Sequence, residues 1–109
     1  MQIIRGTTPV ITINVRSNVN LSNVSAVWVY IYQGGSVIID KELTDVTIHA
    51  QTNQIVLRLS QEDTLALNAG MGALFQVRLL LSSGLALATP AIGVKVLEVY
   101  KDGIISGGT

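Results

Sequence analysis

A chain of 109 residues that is 49% hydrophobic and only 13% charged is sized for one domain with one core, yet carries about half the ~25% of charged residues that cover ordinary soluble domains. Its seven basic residues are scattered one per strand or turn and balanced by seven acidic ones, which argues against the basic stripe of a nucleic-acid site. The lack of cysteine excludes disulfide and thiol chemistry, and Gln76, Arg78 and Ser82 cut the longest apolar runs well below the ~18 residues of a membrane span.

Thr8-Pro9 opens the first predicted strand, in which Ile11, Ile13 and Val15 alternate with Thr12, Asn14 and Arg16. A polar loop from Ser17 to Asn23 leads into an unusual strand, Val24 to Tyr32. Its two alternating sets are both apolar: Val27, Val29 and Ile31 point one way, Trp28, Tyr30 and Tyr32 the other. Gln33-Gly34-Gly35-Ser36 is a hairpin signal, and the return strand runs from Val37 to Leu43. Asp45 turns the chain into Val46 to His49, and Gln51-Thr52-Asn53 turns it again into Gln54 to Leu59, with Ile55, Leu57 and Leu59 inward.

Ser60-Gln61-Glu62-Asp63 has the form of a capping box, Ser60 accepting from the Asp63 amide and Asp63 reaching back. One or two helical turns over residues 61–67 follow, stopped at Asn68-Ala69-Gly70. The next predicted strand, Ala73 to Leu81, sets Phe75, Val77, Leu79 and Leu81 on one face and Gln76, Arg78 and Leu80 on the other. Ser82-Ser83-Gly84 is a turn. Thr89-Pro90 opens a last strand with Ile92, Val94 and Val96 inward. Residues 104–109 begin with the apolar pair Ile104-Ile105 and end in Ser-Gly-Gly-Thr, a tail expected to be mobile or to dock on a partner.

About seven short strands with regular turn signals predict an all-β, immunoglobulin-like antiparallel β-sandwich spanning residues 1–109, with one short helical turn. The Trp28 strand, its hairpin partner and the last two strands are expected in one sheet. The strands at Ile11, Ile48 and Leu57 are expected in the other.

Catalytic signatures are sparse. His49 stands alone, without cysteine or a carboxylate pair at ligand spacing. Asp40, Glu42 and Asp45 could offer oxygens to calcium, but no loop with a glycine turn follows, and a solvated edge strand accounts for them. Glu62 and Asp63 sit where a helix dipole favours acids. The expectation is no enzyme, no metal and no cofactor.

The aromatic strand admits two arrangements. Trp28 is commonly buried on the equivalent strand of immunoglobulin-like sandwiches, and that arrangement is preferred; Val27, Val29 and Ile31 would then face a partner. Alternatively the aromatic row is exposed and could stack sugar rings. In both, one face is left over. Trp28, Tyr30 and Tyr32, with Leu80, Ile104 and Ile105, form the candidate interface.

Several stretches occur in a recognisable order. They are Ile4-Arg5-Gly6-Thr7-Thr8-Pro9-Val10-Ile11, Val29-Tyr30-Ile31-Tyr32-Gln33-Gly34-Gly35, Leu57-Arg58-Leu59-Ser60-Gln61-Glu62-Asp63-Thr64-Leu65 with Gly70, Phe75-Gln76-Val77-Arg78, Ala86-Leu87-Ala88-Thr89, and Val99-Tyr100-Lys101-Asp102-Gly103-Ile104-Ile105. Together they resemble a family of small proteins of bacteriophages and prophages of Gram-positive bacteria, encoded among tail and baseplate genes. The turn Ser82-Ser83-Gly84-Leu85-Ala86 departs from that family in lacking charge.

The resemblance implies a structural protein of the tail, baseplate or connector region, without catalysis. It would contact copies of itself and other phage structural proteins. It would reside in the virion or a tail-like particle, and in the bacterial host cytoplasm during assembly. The N-terminal residues do not have the form of a secretion signal, and neither nucleic acid nor membrane insertion is expected. The alternative from another class is a carbohydrate- or surface-binding module using Trp28, Tyr30 and Tyr32.

Overall fold

The computed structural model describes residues 1–16 and 18–106. Ser17 of the polar loop and the last part of the expected tail, residues 107–109, lie outside the described residues. The fold is all-β with two sheets. Strands are β1 (Gln2–Ile4), β2 (Val10–Asn14), β3 (Val24–Gln33), β4 (Ser36–Glu42), β5 (Val46–His49), β6 (Gln54–Arg58), β7 (Ala73–Leu81), β8 (Ala86–Ala88) and β9 (Ile92–Leu97), with one helix, α1 (Gln61–Leu65). Single 3-10 turns occupy Leu21–Asn23 and Leu43–Asp45.

The large sheet has the order β1-β9-β7-β3-β4, with β8 also on β7; the small one is β2-β6-β5. This is the expected partition: the Trp28 strand, its hairpin partner and the long strands after α1 lie together, apart from the strands of Ile11, Ile48 and Leu57. Counted among the seven expected strands, the second lies beside the sixth and the first beside the fifth.

Two strands exceed the expected seven. β1 runs parallel to β9, Ile3 opposite Val96, and β8 folds back on Arg78–Leu80 after the Gly84 turn. Three residues are too few to show an alternation, so neither is legible as a periodic pattern.

The core joins both sheets. Val27, Val29 and Ile31 of β3 meet Phe75, Val77 and Leu79 of β7, with Ile11, Ile55 and Leu57 from the small sheet. Each such side chain withdrawn from water contributes about 1.5–3 kcal/mol. The preferred placement of Trp28 in the core is therefore corrected: Trp28 faces outward.

The reason is register. Directly opposed residues of an antiparallel pair share a face, and β3 is set so that Val27, Val29 and Ile31 oppose Leu79, Val77 and Phe75, while Trp28 and Tyr30 oppose Arg78 and Gln76. Burying Trp28 would bury an arginine with it. Ile92 opposes buried Phe75 and so lies on the inward face as expected, yet it is 40% exposed. β1 flanks β9 only at Lys95–Leu97, so the start of β9 lacks that neighbour.

The hairpin turn of β3 and β4 has Gly34 and Gly35 both at positive φ, as a two-residue turn of this hand requires. Gln33, expected in this turn, instead ends β3 as a buried residue, 3% exposed. Its Nε2 donates to the Asn68 and Met71 carbonyls at 2.8 and 2.9 Å, and its Oε1 accepts from the Asn68 amide at 2.8 Å. One side chain thus ties the hairpin end to the loop that leaves α1.

Five residues are too few for a helix to stand alone, and α1 is held from several sides. The capping box is formed: the Asp63 amide donates to Ser60 Oγ at 3.0 Å and the Ser60 amide to Asp63 Oδ2 at 2.9 Å. Lys41 Nζ of β4 reaches Asp63 at 3.1 Å. Arg5 donates to the Leu67 and Leu65 carbonyls at 2.7 and 3.0 Å, where a cation suits the helix C-terminus. Buried Thr64 donates to the Thr7 carbonyl at 2.9 Å. Partial burial works against ionisation of Asp63, but hydrogen bonds from the Ser60 amide and Lys41 outweigh it and hold the carboxyl below its ordinary range.

Two outcomes are expected. Replacing Gln33 by Met, of similar length, strands the Asn68 amide and costs about 1–3 kcal/mol, which thermal unfolding registers at about 4–8 °C per kcal/mol. For Asp63, whose folded value is depressed, the stabilisation is present above the unfolded value of about 3.9. It is lost as pH falls through the folded one, so Asp63→Asn gives a shallower acid limb in a stability–pH profile.

Candidate functional site

The two sheets present different outer faces. On the small sheet, Thr12, Thr47 and Val56 lie side by side, with Asn14, Gln54 and His49 in the next row and Arg58 beside Val10. Apart from Val10 and Val56 that face is polar and suits contact with water. The large sheet's outer face carries Trp28, Tyr32, Leu74 and Leu80, which remain 40%, 44%, 45% and 40% exposed. Exposed apolar residues grouped on one sheet face make this the candidate interaction surface.

Strand pairing places these residues in rows. Ala26 and Leu80 are opposed, with Ala86 beyond on β8. The next row runs Glu42, Trp28, Arg78 and Ala88 from β4 across β3 and β7 to β8. Asp40, Tyr30 and Gln76 form the third, and Val37, Tyr32, Leu74 and Gly93 the fourth. Tyr30 is half-buried between its neighbours. The Arg78 guanidinium carbon lies 5.3 Å from the centroid of the Trp28 ring, a cation–π distance.

Of the six candidate interface residues, the fold unites Trp28, Tyr30, Tyr32 and Leu80 on this one face. Ile104 and Ile105 are exposed, at 64% and 72%, but lie elsewhere. The Ile105 amide donates to Gln61 Oε1 at 2.6 Å and Gln61 Nε2 returns a bond to the Ile105 carbonyl at 2.9 Å. Ile104 lines a shallow depression with Thr8, Arg58 and Glu62. The described part of the tail is thus docked at the start of α1. The glycines and threonine after it lie outside the described residues.

Three contributors to the face escaped the sequence reading of the site: Leu74, Val37 and the Arg78 cation over Trp28. Leu74 occupies an outward position in the alternation of β7, which is the signal that could have found it. Val37 could not be placed, because a bulge after Ile31 shifts the β3–β4 register.

Elsewhere, a cavity of about 400 Å³ opens between the sheets beside β2 and β8, lined by Ile13, Val15, Val77, Leu79 and Leu87. Among the described residues Arg16 is its single ionisable lining residue. Among the described residues no group of three histidine, cysteine or acidic side chains could hold a metal ion, and no helix is long and apolar enough to cross a membrane. No protein-family model matches this chain, and no curated protein matches it in sequence.

The assignment of faces has a direct check. Tyr32→Asp is expected to leave the unfolding free energy within about 0.5 kcal/mol of the parent in monomer conditions. Val29→Asp, which puts a carboxylate in the core, is expected to prevent cooperative unfolding altogether.

Proposed function

We propose that the chain is a non-enzymatic structural protein that assembles through protein–protein contacts, using the outer face of the large sheet. The observation that carries this reading is the asymmetry of the two outer faces. The small sheet ends in threonine, asparagine and glutamine, whereas the large one leaves Trp28, Tyr32, Leu74 and Leu80 in water. Interfaces of permanent assemblies are enriched in such aromatic and aliphatic groups.

The setting follows from the ordered motifs that resemble small tail- and baseplate-associated proteins of phages and prophages. In that reading the chain is a component of a phage-type particle, its partners are copies of itself and neighbouring structural proteins, and the zero net charge favours close association. The described contacts of the motif residues are structural ones: Arg5 and Asp63 hold α1 in place, and Gln33 fastens the loop after it.

A second reading is favoured by the exposure of the aromatic row. Trp28 and Tyr32 lie on one open surface with Tyr30 between them, as a sugar-stacking platform requires.

Light scattering of the purified chain across concentration separates the two. The assembly reading expects a discrete, concentration-stable oligomer that Tyr30→Asp disperses without unfolding the monomer. An oligomer unchanged by Tyr30→Asp would show that this face is not the contact. A monomer whose Trp28 fluorescence is quenched by oligosaccharides would favour the sugar-binding reading.

A further inference from the structure

The outer face of the large sheet is divided by charge as well as by polarity. Its β4 margin is acidic, with exposed Asp40 and Glu42 opposite Tyr30 and Trp28. Its other half is basic, with exposed Arg78 on β7 and Lys95 on β9. The aromatic and aliphatic residues lie between. Two acids and two bases make the face neutral as a whole but polarised across the strands.

Neither Asp40 nor Arg78 forms an ion pair within the chain among the described residues; the three pairs there join Arg5 to Glu98, Arg5 to Asp102 and Lys41 to Asp63. A face of this kind is complementary to itself under one operation. A two-fold axis parallel to the strands, between β3 and β7, lays the β4 margin of one copy on the β8 and β9 margin of the other. It brings Arg78 of each copy over Trp28 of the other and beside the other's Glu42. An axis perpendicular to the strands would instead set like on like.

The geometry points to a second copy of this chain as the occupant of the face, in an isologous dimer held by Trp28, Tyr32 and Leu74 at the centre and by Arg78 against Asp40 and Glu42 at the margins. This rests on the assembly reading above and names its first partner. The size is adequate. Four strands at ~4.8 Å spacing and nine residues at ~3.3 Å give a flat projection of roughly 550 Å² per copy. Two copies together therefore reach the ~1,000 Å² that a specific interface needs. An isologous contact closes on itself, so it forms a discrete dimer rather than a filament.

Charge exchange tests it in the full chain by sedimentation equilibrium. Arg78→Glu makes positions 40, 42 and 78 all acidic, and the double variant Asp40→Lys with Glu42→Lys makes the same three basic. Each variant alone is expected to dimerise at least about tenfold more weakly than the parent, since like charges then face each other. An equimolar mixture is expected to recover the dimer to within about threefold, because both margins are again opposed in sign. Unchanged circular dichroism and melting of each variant, read in dilute monomer, exclude a folding defect. A dimer that Tyr32→Asp abolishes but charge reversal does not weaken, or variants that mixing fails to rescue, would overturn the two-fold arrangement while leaving the assembly reading intact. A ring or larger oligomer from the parent chain would do the same. A parent chain that stays monomeric at every concentration would overturn the second-copy occupant itself.

Discussion

The register between β3 and β7 is the constraint on which the rest depends. With Val27, Val29 and Ile31 opposed to Leu79, Val77 and Phe75, one face of the pair is wholly apolar and becomes the floor of the core. The same register fixes the reverse side, where Trp28 meets Arg78 and Tyr30 meets Gln76. A slip of one residue would turn every side chain over and put Arg78 and Gln76 into the core. The long strand after α1 has no apolar set on its second face to accept such an exchange, so the mixed polarity of β7 selects the face of β3. Part of the surplus hydrophobicity of the composition therefore appears on this outer surface, while Val10, Leu85, Tyr100, Ile104 and Ile105 are exposed elsewhere.

Around this pair the smaller elements are secured mainly by polar side chains that reach far in sequence. Arg5, close to the start of the chain, binds carbonyls of α1 and the carboxylate of Glu98. Gln33 bonds a loop 35 residues further on, and Asn53, the one described non-glycine residue at positive φ, donates to the Arg16 and Val19 carbonyls. No buried side-chain polar atom among the described residues lacks a partner. Charged residues are only 13% of the chain, about half the usual share. On the proposed reading, that scarcity is the composition of a protein whose second apolar surface is covered by assembly.

Much of the architecture was legible from local pattern. The bounds of β5 and β7, the capping box at Ser60 and Asp63, the glycine hairpin and the division of strands between sheets all follow from alternation and turn chemistry. β1, β8 and the placement of Gln33 did not. Two are three-residue strands with no period to detect, and the third is a glutamine whose burial is decided by carbonyls more than thirty residues away. Of the six candidate interface residues, the shared face of four was legible. Trp28, Tyr30, Tyr32 and Leu80 share a face because they hold outward positions on adjacent strands, whereas Ile104 and Ile105, equally apolar, are carried to α1 by bonds to Gln61.

By itself the sequence determined the class of fold, the number of long strands, the helix that interrupts them and the existence of one apolar strand face too many, since these depend on residues near one another in the chain. Which face that was could be decided only by the tertiary structure. Trp28 and Val29 are equally suited to burial in isolation. The choice between them lies with Arg78 and Val77, about fifty residues away, because an antiparallel pair buries opposed residues together, and a valine opposite Val77 is buried at far less cost than an arginine opposite Trp28.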